Sequence, residues 1–343
     1  MTSEPKRLLV LRFSALGDVA MTVPAVYSLA ELYPELHIDV VTTPFHAQLF
    51  INRPPNVHVH GLDLKGEYKG FKGFFKALKK LSDLKPDMVA DLHNVLRTWL
   101  VDAFFMLKGV RVKIVDKMRN ARKLVLKRKA TQPNFVNRFT HVFSLLGYPL
   151  EPKFTTIFPD GVPEMPIDIK HPAVGIAPFA RYYNKTYPID RMREVVEILA
   201  ESGVNVYLFG ARGNEAEQLG TWTSISTRVH TLAGRFNLEQ ELALMARMDC
   251  IVSMDSANQH MASLTARPVV TIWGSTAPSC GFAPYGQRPK NSIIANLSCQ
   301  PCSIAGKPGC PKGTLECFKA LSPRMVARKI AEIIPHEAME LVN

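Results

Sequence analysis

The chain has 343 residues, more than one ordinary core needs and enough for two domains of about 150 residues each. Apolar residues make up 47% of it and charged residues 21%, which excludes a disordered chain. The formal net charge is +12 and uneven: residues 1–160 hold 24 Lys and Arg against 14 Asp and Glu, while residues 161–343 hold 18 against 16. The first half is therefore expected to meet something anionic, whether nucleic acid, a phosphorylated substrate or an acidic membrane face; a merely solubilising basic surface is the alternative.

The run "LLVL" at 8–11 is too short for a signal or a membrane span, and no other stretch approaches about 18 uninterrupted apolar residues. A soluble, cytoplasmic protein is expected. "RLLVLRF" (7–13) reads as a buried strand, and residues 18–33 carry helical spacing stopped by Pro34. "HIDVVTT" (37–43) and "MVADLH" (88–93) read as further strands, the latter preceded by a basic amphipathic stretch, 69–84. Strands alternating with helices predict a parallel sheet covered on both faces.

Residues 149–172 hold six prolines, a density that no helix or central strand survives, so the linker is expected there. The alternation then restarts. Strands are expected at 173–178, 204–210, 229–234, 250–254 and 268–274, with helices at 189–202, 238–247 and 322–335. The expected plan is two Rossmann-like, doubly wound α/β domains, 1–160 and 161–343, facing each other across a cleft lined by post-strand loops. The last helix is a candidate to pack back on the first domain.

Three stretches can carry chemistry. "RFSALGDVAM" (12–21) follows the first strand with one glycine and puts Asp18 at a helix start. Free N–H groups and the helix dipole favour an ionised carboxylate there, able to take a proton from a hydroxyl; a simple helix cap is the alternative. "MDSANQH" (254–260) offers a helix start capped by Ser256 or Asp255, with N–H groups at Ala257 and Asn258 for an anion and His260 one turn on. The alternative is an ordinary cap followed by a buried histidine. Lys185, in "RYYNKTYP" (181–188), can meet a diphosphate as a point charge or be a plain surface lysine. "GSTAP" (274–278) adds small residues and hydroxyls. No G-x-G-x-x-G follows a strand, which disfavours an NAD dehydrogenase.

In order and spacing, "RFSALGDV", "DLHNVLRT" (91–98), "NKTYP", "DSANQH", "TARPVVTIWGSTAP" and "CQPC…C…C" resemble glycosyltransferase family 9, the lipopolysaccharide heptosyltransferases, over roughly residues 6–332. The resemblance implies a GT-B fold and transfer of a sugar, typically from ADP-heptose, with inversion and without a catalytic metal or other cofactor. It implies Asp18 as general base, and Lys185, Asp255, Ser256, Ala257 and His260 as the holders of the donor. Arg12, Ser14 and Arg97 are candidate contacts for an anionic, lipid-linked glycan acceptor at the inner membrane face, where the protein would be peripheral. A nucleotide-sugar epimerase of the same architecture and a non-catalytic nucleotide-sugar binder are the alternatives.

Residues 107–129 carry ten Lys and Arg, one acidic residue and no aromatic for base stacking, so a phosphorylated lipid acceptor suits them better than nucleic acid. Cys299, Cys302, Cys310 and Cys317 cluster near the C-terminus. They can bind a structural zinc ion or be reduced, packed thiols.

Overall fold

The computed structural model describes residues 6–334. Two compact units emerge: one of residues up to 119 together with 134–157, the other of 120–133 together with 158 onward. Each is built on one parallel sheet.

The first domain has five strands: β1 (Arg7–Leu11), β2 (His37–Thr42), β3 (Val57–Gly61), β4 (Met88–Asp91) and β5 (Arg111–Ile114), in the order β3-β2-β1-β4-β5. Leu8 to Leu11 are wholly buried because a central parallel strand is covered on both faces; this is why it reads as an unbroken apolar run. Leu8 lies between Ile38 of β2 and Met88 of β4. Helix Gly70–Asp83 buries Ala77, Leu78 and Leu81 and turns its lysines outward.

The second domain has six strands: β6 (Ala173–Ala177), β7 (Asn205–Leu208), β8 (Val229–Thr231), β9 (Cys250–Met254), β10 (Val269–Trp273) and β11 (Ser292–Ile294), in the order β11-β10-β9-β6-β7-β8. Both sheets start at the centre, build outward, then return to the other side of the first strand. The order reverses between β1 and β4 and between β6 and β9, and loops after such strands part to leave a ligand crevice.

Several elements differ from the sequence pattern. The expected helix 18–33 is two, Leu16–Ala20 and Thr22–Leu32. Thr22 donates its hydroxyl to the Asp18 carbonyl at 3.1 Å, and Pro24 has no N–H to continue the ladder. Strands β3 (VHVHG) and β5 (RVKI) escape an apolar-run reading because both are polar and lie at the sheet edges. Residues 149–172 form neither helix nor strand. The domains do not part at a single point near 160, however. Helix Arg122–Leu126 packs on the turn Pro278–Cys280, and the Gln132 N–H donates to the Ser279 carbonyl at 2.9 Å, so 120–133 belongs to the second domain. The last described helix, Pro323–Ala331, starts on a Ser322 cap and packs against helix Ile189–Glu201 of its own domain. Among the described residues no helix is long and apolar enough to cross a membrane.

Candidate active site

In the first domain, Asp18 is the third residue of helix Leu16–Ala20, so the helix begins two residues earlier than its charge suggests. The carboxylate folds back. Its Oδ2 accepts the Ala15 backbone N–H at 3.2 Å and meets Arg12 Nη2 at 2.5 Å. Oδ1 accepts no hydrogen bond from a described residue. Asp18 is thus partly a cap and partly an anchored carboxylate with one oxygen left over. Its side chain is 24% exposed, that of Arg12 only 4%. Arg12 also donates to the Leu92 carbonyl and lies over the Phe139 ring. Its charge is therefore committed to Asp18 and the β4 loop.

That loop brings groups the sequence motifs did not single out. Asp91, at the end of β4, accepts the backbone N–H groups of His93 and Asn94 at 2.7 and 2.9 Å. Beside it sits Asp102 of helix Leu96–Leu107, whose pKa is pushed up to about 8 by burial and then by the Asp91 charge. Asp102 therefore keeps its proton at neutral pH beside the Asp91 charge. His93 Nε2 lies 3.3 Å from Ser14 Oγ. Burial, then the charges of Arg12 and Lys117, push the His93 pKa down to about 4, so the ring is neutral. Lys117 donates to the Asn94 carbonyl at 3.0 Å. Ser14 and Arg97 are exposed. The available signal was topological: His93 lies just beyond the carboxyl end of β4, at the switch point, and Lys117 just beyond the neighbouring edge strand β5.

In the second domain, Lys185 closes the turn Tyr183–Lys185 after β6, and Asp255 follows β9 directly. Lys185 Nζ lies 2.9 Å from Asp255 Oδ2, and both side chains are largely buried. Asp255 is otherwise filled: Oδ2 accepts the Thr276 hydroxyl at 2.6 Å and Oδ1 accepts Gln259 Nε2 at 2.9 Å. Gln259 is itself held by the Thr271 hydroxyl at 3.0 Å. Ser256 caps helix Ala257–Ser263 by accepting the Asn258 N–H at 3.3 Å, and Ser256 and Ala257 stay partly exposed. His260 is buried beside Gln259. The five donor candidates and their neighbours thus separate into reachable groups, at Lys185, Ser256 and Ala257, and supporting ones, at Asp255, Gln259, Thr276 and His260. Gly274 shows why "GSTAP" begins as it does: a Cβ there would lie 2.2 Å from the Phe318 ring and 2.6 Å from the Asn184 carbonyl.

Cys299, Cys302, Cys310 and Cys317 line one small cavity, although they are spread along a loop and a short helix. Burial pushes the Cys302 and Cys317 thiols up, and each is also disfavoured as a thiolate by its neighbouring cysteines. Among the described residues no three His, Cys, Asp or Glu side chains are gathered closely enough to hold an ion.

Two Rossmann-like domains, each with its charged groups at a switch point, give the chain the GT-B fold. The family model of glycosyltransferase family 9 (heptosyltransferase) matches residues 74–309, and the chain belongs to that family. It is 25% identical over 298 residues to the lipopolysaccharide core heptosyltransferase OpsX of Haemophilus influenzae, covering 83% of each chain. It is 25% identical over 322 residues to lipopolysaccharide heptosyltransferase 1 of Escherichia coli, covering 86% of this chain and 97% of the relative. Among solved structures, a family 9 glycosyl transferase from Veillonella parvula superposes with a TM-score of 0.71 at 19% identity, covering 97% of this chain and 98% of the other. E. coli heptosyltransferase WaaC with ADP-2-deoxy-2-fluoro heptose gives 0.67 at 20% identity, covering 95% and 99%.

Proposed function

We propose that the protein transfers a heptose from ADP-heptose to a sugar hydroxyl of the lipopolysaccharide core or a related lipid-linked glycan, with inversion at the anomeric carbon. The observation that carries this reading is the one-sided anchoring of Asp18. Arg12 and the Ala15 N–H hold Oδ2, which leaves Oδ1 to accept the acceptor proton. As that proton moves to Asp18, the acceptor oxygen bonds to the anomeric carbon and the bond from that carbon to the diphosphate breaks. The bond pair leaves with ADP.

Lys185 meets the charge that develops on the leaving diphosphate. Asp255 holds the ammonium by one contact and leaves its other protons for phosphate oxygens. Ser256 and Ala257 border the same ligand. Lys185 supplies the cation for departure, and no metal or other cofactor is assigned to catalysis. Ser14, Arg97, His93 and Lys117 are the acceptor-side contacts; Arg12 acts through Asp18. The relatives named for lipopolysaccharide heptose transfer support the choice of donor and acceptor.

Exposed Phe71 and Phe75, set among Lys72, Lys76 and Lys79 of helix Gly70–Asp83, support peripheral contact of a cytoplasmic enzyme with an anionic inner-membrane surface. The test is product analysis with ADP-heptose, with and without a heptose-deficient core acceptor. Transfer that requires the acceptor supports the reading. Donor conversion without acceptor refutes it in favour of epimerisation.

A further inference from the structure

The acceptor-side contacts named above follow β1, β4 and β5. The other inner strand, β2, pairs directly with β1, so its turn opens at the same end of the sheet. The Arg12 backbone N–H donates to the Val41 carbonyl at 3.1 Å, which fastens that end of β2 to the loop leading to Asp18. The turn is the short helix Pro44–Ala47, capped by Thr43, whose Oγ1 accepts the His46 backbone N–H at 3.3 Å.

His46 in this turn has one defined tautomer. Its Nδ1 lies 2.8 Å from the Phe13 carbonyl oxygen and 2.8 Å from Thr43 Oγ1. A carbonyl only accepts, so Nδ1 carries the ring proton and donates it to Phe13. Burial, opposed by the Phe13 bond and helped by the Arg12 charge, holds the His46 pKa below its ordinary value, so the ring is neutral at pH 7. Nε2 therefore bears a lone pair. No described residue donates to it, and it is not one of the buried unpaired atoms, so it reaches solvent. Phe45 is exposed next to it and meets the His46 ring edge-on, with ring centroids 5.5 Å apart. An open aromatic ring beside an unpaired acceptor offers what a sugar ring needs: a flat apolar surface for its C–H face and a partner for one hydroxyl.

The place of this turn relative to Asp18 is set by the β1 loop between them. Phe13 takes the His46 proton on its carbonyl, and its ring lies 6.0 Å from the His93 ring on the β4 side. Arg12, which anchors Asp18, lowers the pKa of both imidazoles. Two neutral histidines thus flank the loop that leads to the base.

We infer that the turn 43–47 is a sugar subsite for the acceptor, in which His46 Nε2 accepts a hydroxyl hydrogen and Phe45 takes the C–H face of the same ring. The inference rests on the transfer reaction proposed above and specifies its acceptor. A neutral lone pair takes a hydrogen and repels an anion, so the hydroxyl met here is a free one and not a phosphate ester. The anionic groups of the acceptor fall to Arg97 and Lys117.

The test is steady-state transfer from ADP-heptose to a heptose-deficient core acceptor, with ADP affinity measured by calorimetry on the same chains. His46→Asn keeps an N–H near the place of Nδ1 for the Phe13 carbonyl and deletes the outer lone pair. It should raise the acceptor KM about tenfold, the worth of one hydrogen bond, with ADP affinity and melting temperature unchanged. His46→Gln returns an acceptor oxygen to the outer position and should stay within about threefold of the native KM. Phe45→Ala should raise the acceptor KM several-fold and leave ADP binding alone. On the native chain, carbethoxylation of His46 by diethyl pyrocarbonate, located by peptide mass, should be slowed by the acceptor and not by ADP; this measurement needs no variant to fold. An acceptor KM unchanged in His46→Asn, or reaction at His46 unaffected by saturating acceptor, overturns the subsite. A His46→Gln chain no better than His46→Asn overturns the hydrogen bond, and a native KM in Phe45→Ala overturns the ring contact. A native chain without acceptor-dependent transfer is a different result: there the function proposed above fails, and the subsite falls with it.

Discussion

Arg12 and Asp18 form a pair in which the cation is buried and the anion is not. The guanidinium lies 2.5 Å from one carboxylate oxygen, with 4% of its side chain exposed against 24% for the aspartate. The arginine thus fixes the carboxylate from behind while its other oxygen stays available. A cap alone would not need a buried cation at its back.

Asp18→Asn keeps the shape, the cap contact and the second domain, but removes the proton acceptor. Transfer is expected to fall by about 10²- to 10⁴-fold, with ADP-heptose affinity unchanged. The check is single-turnover transfer beside calorimetric donor binding. Normal transfer by the variant would leave Asp18 as only a cap.

Lys185 and Asp255 separate binding from architecture. Lys185→Ala should weaken donor binding at least tenfold, roughly the worth of one charge-assisted contact. Asp255→Ala strands a largely buried ammonium, so it should also cost about 3–5 kcal/mol of folding stability. Denaturant melts of both variants, with and without ADP, read the two effects apart. An Asp255→Ala chain as stable as the parent would contradict the pairing.

Gly274→Ala is expected to destabilise by about 1–3 kcal/mol, since the new methyl meets the Phe318 ring and the Asn184 carbonyl. Because Asn184 adjoins Lys185, ADP affinity should fall as well. A variant with unchanged melting temperature would show that the second domain yields at this point more easily than its packing implies.

Asp102 sets a pH dependence. Its pKa is raised from 3.8 to about 8, so between those values the folded chain holds a proton that the unfolded chain has released. The stability contributed by the Asp102 proton is full below about pH 4 and is lost as pH rises through about 8. Asp102→Asn carries the hydrogen permanently, so its stability should flatten across that range. Denaturant melts from pH 4 to pH 9 compare the two slopes, and parallel slopes would remove Asp102 from the account.

Much of this was legible in the sequence. The central strands announce themselves because a strand buried on both faces must be apolar throughout, as in "LLVL" and "CIVSM". Ser322 and Pro323 mark the start of the last helix because capping is chemistry between near neighbours. The edge strands β3 and β5 were hidden, since half-exposed strands carry His, Arg and Lys that mimic loop composition.

The sequence by itself determined two parallel α/β domains and the motifs that name the family, because periodicity, caps and motif spacing are local properties. Tertiary structure decided which charges meet. Sheet order brings the loops after β1 and β4 together, and those after β6 and β9, so Arg12 can also reach the Leu92 carbonyl and Lys185 can find Asp255. It assigned 120–133 to the second domain and set four separated cysteines around one cavity. It also divided the site residues into those a ligand can reach and those that hold them. Burial and partner choice depend on what the whole chain packs against each side chain, and that is not written in any short stretch.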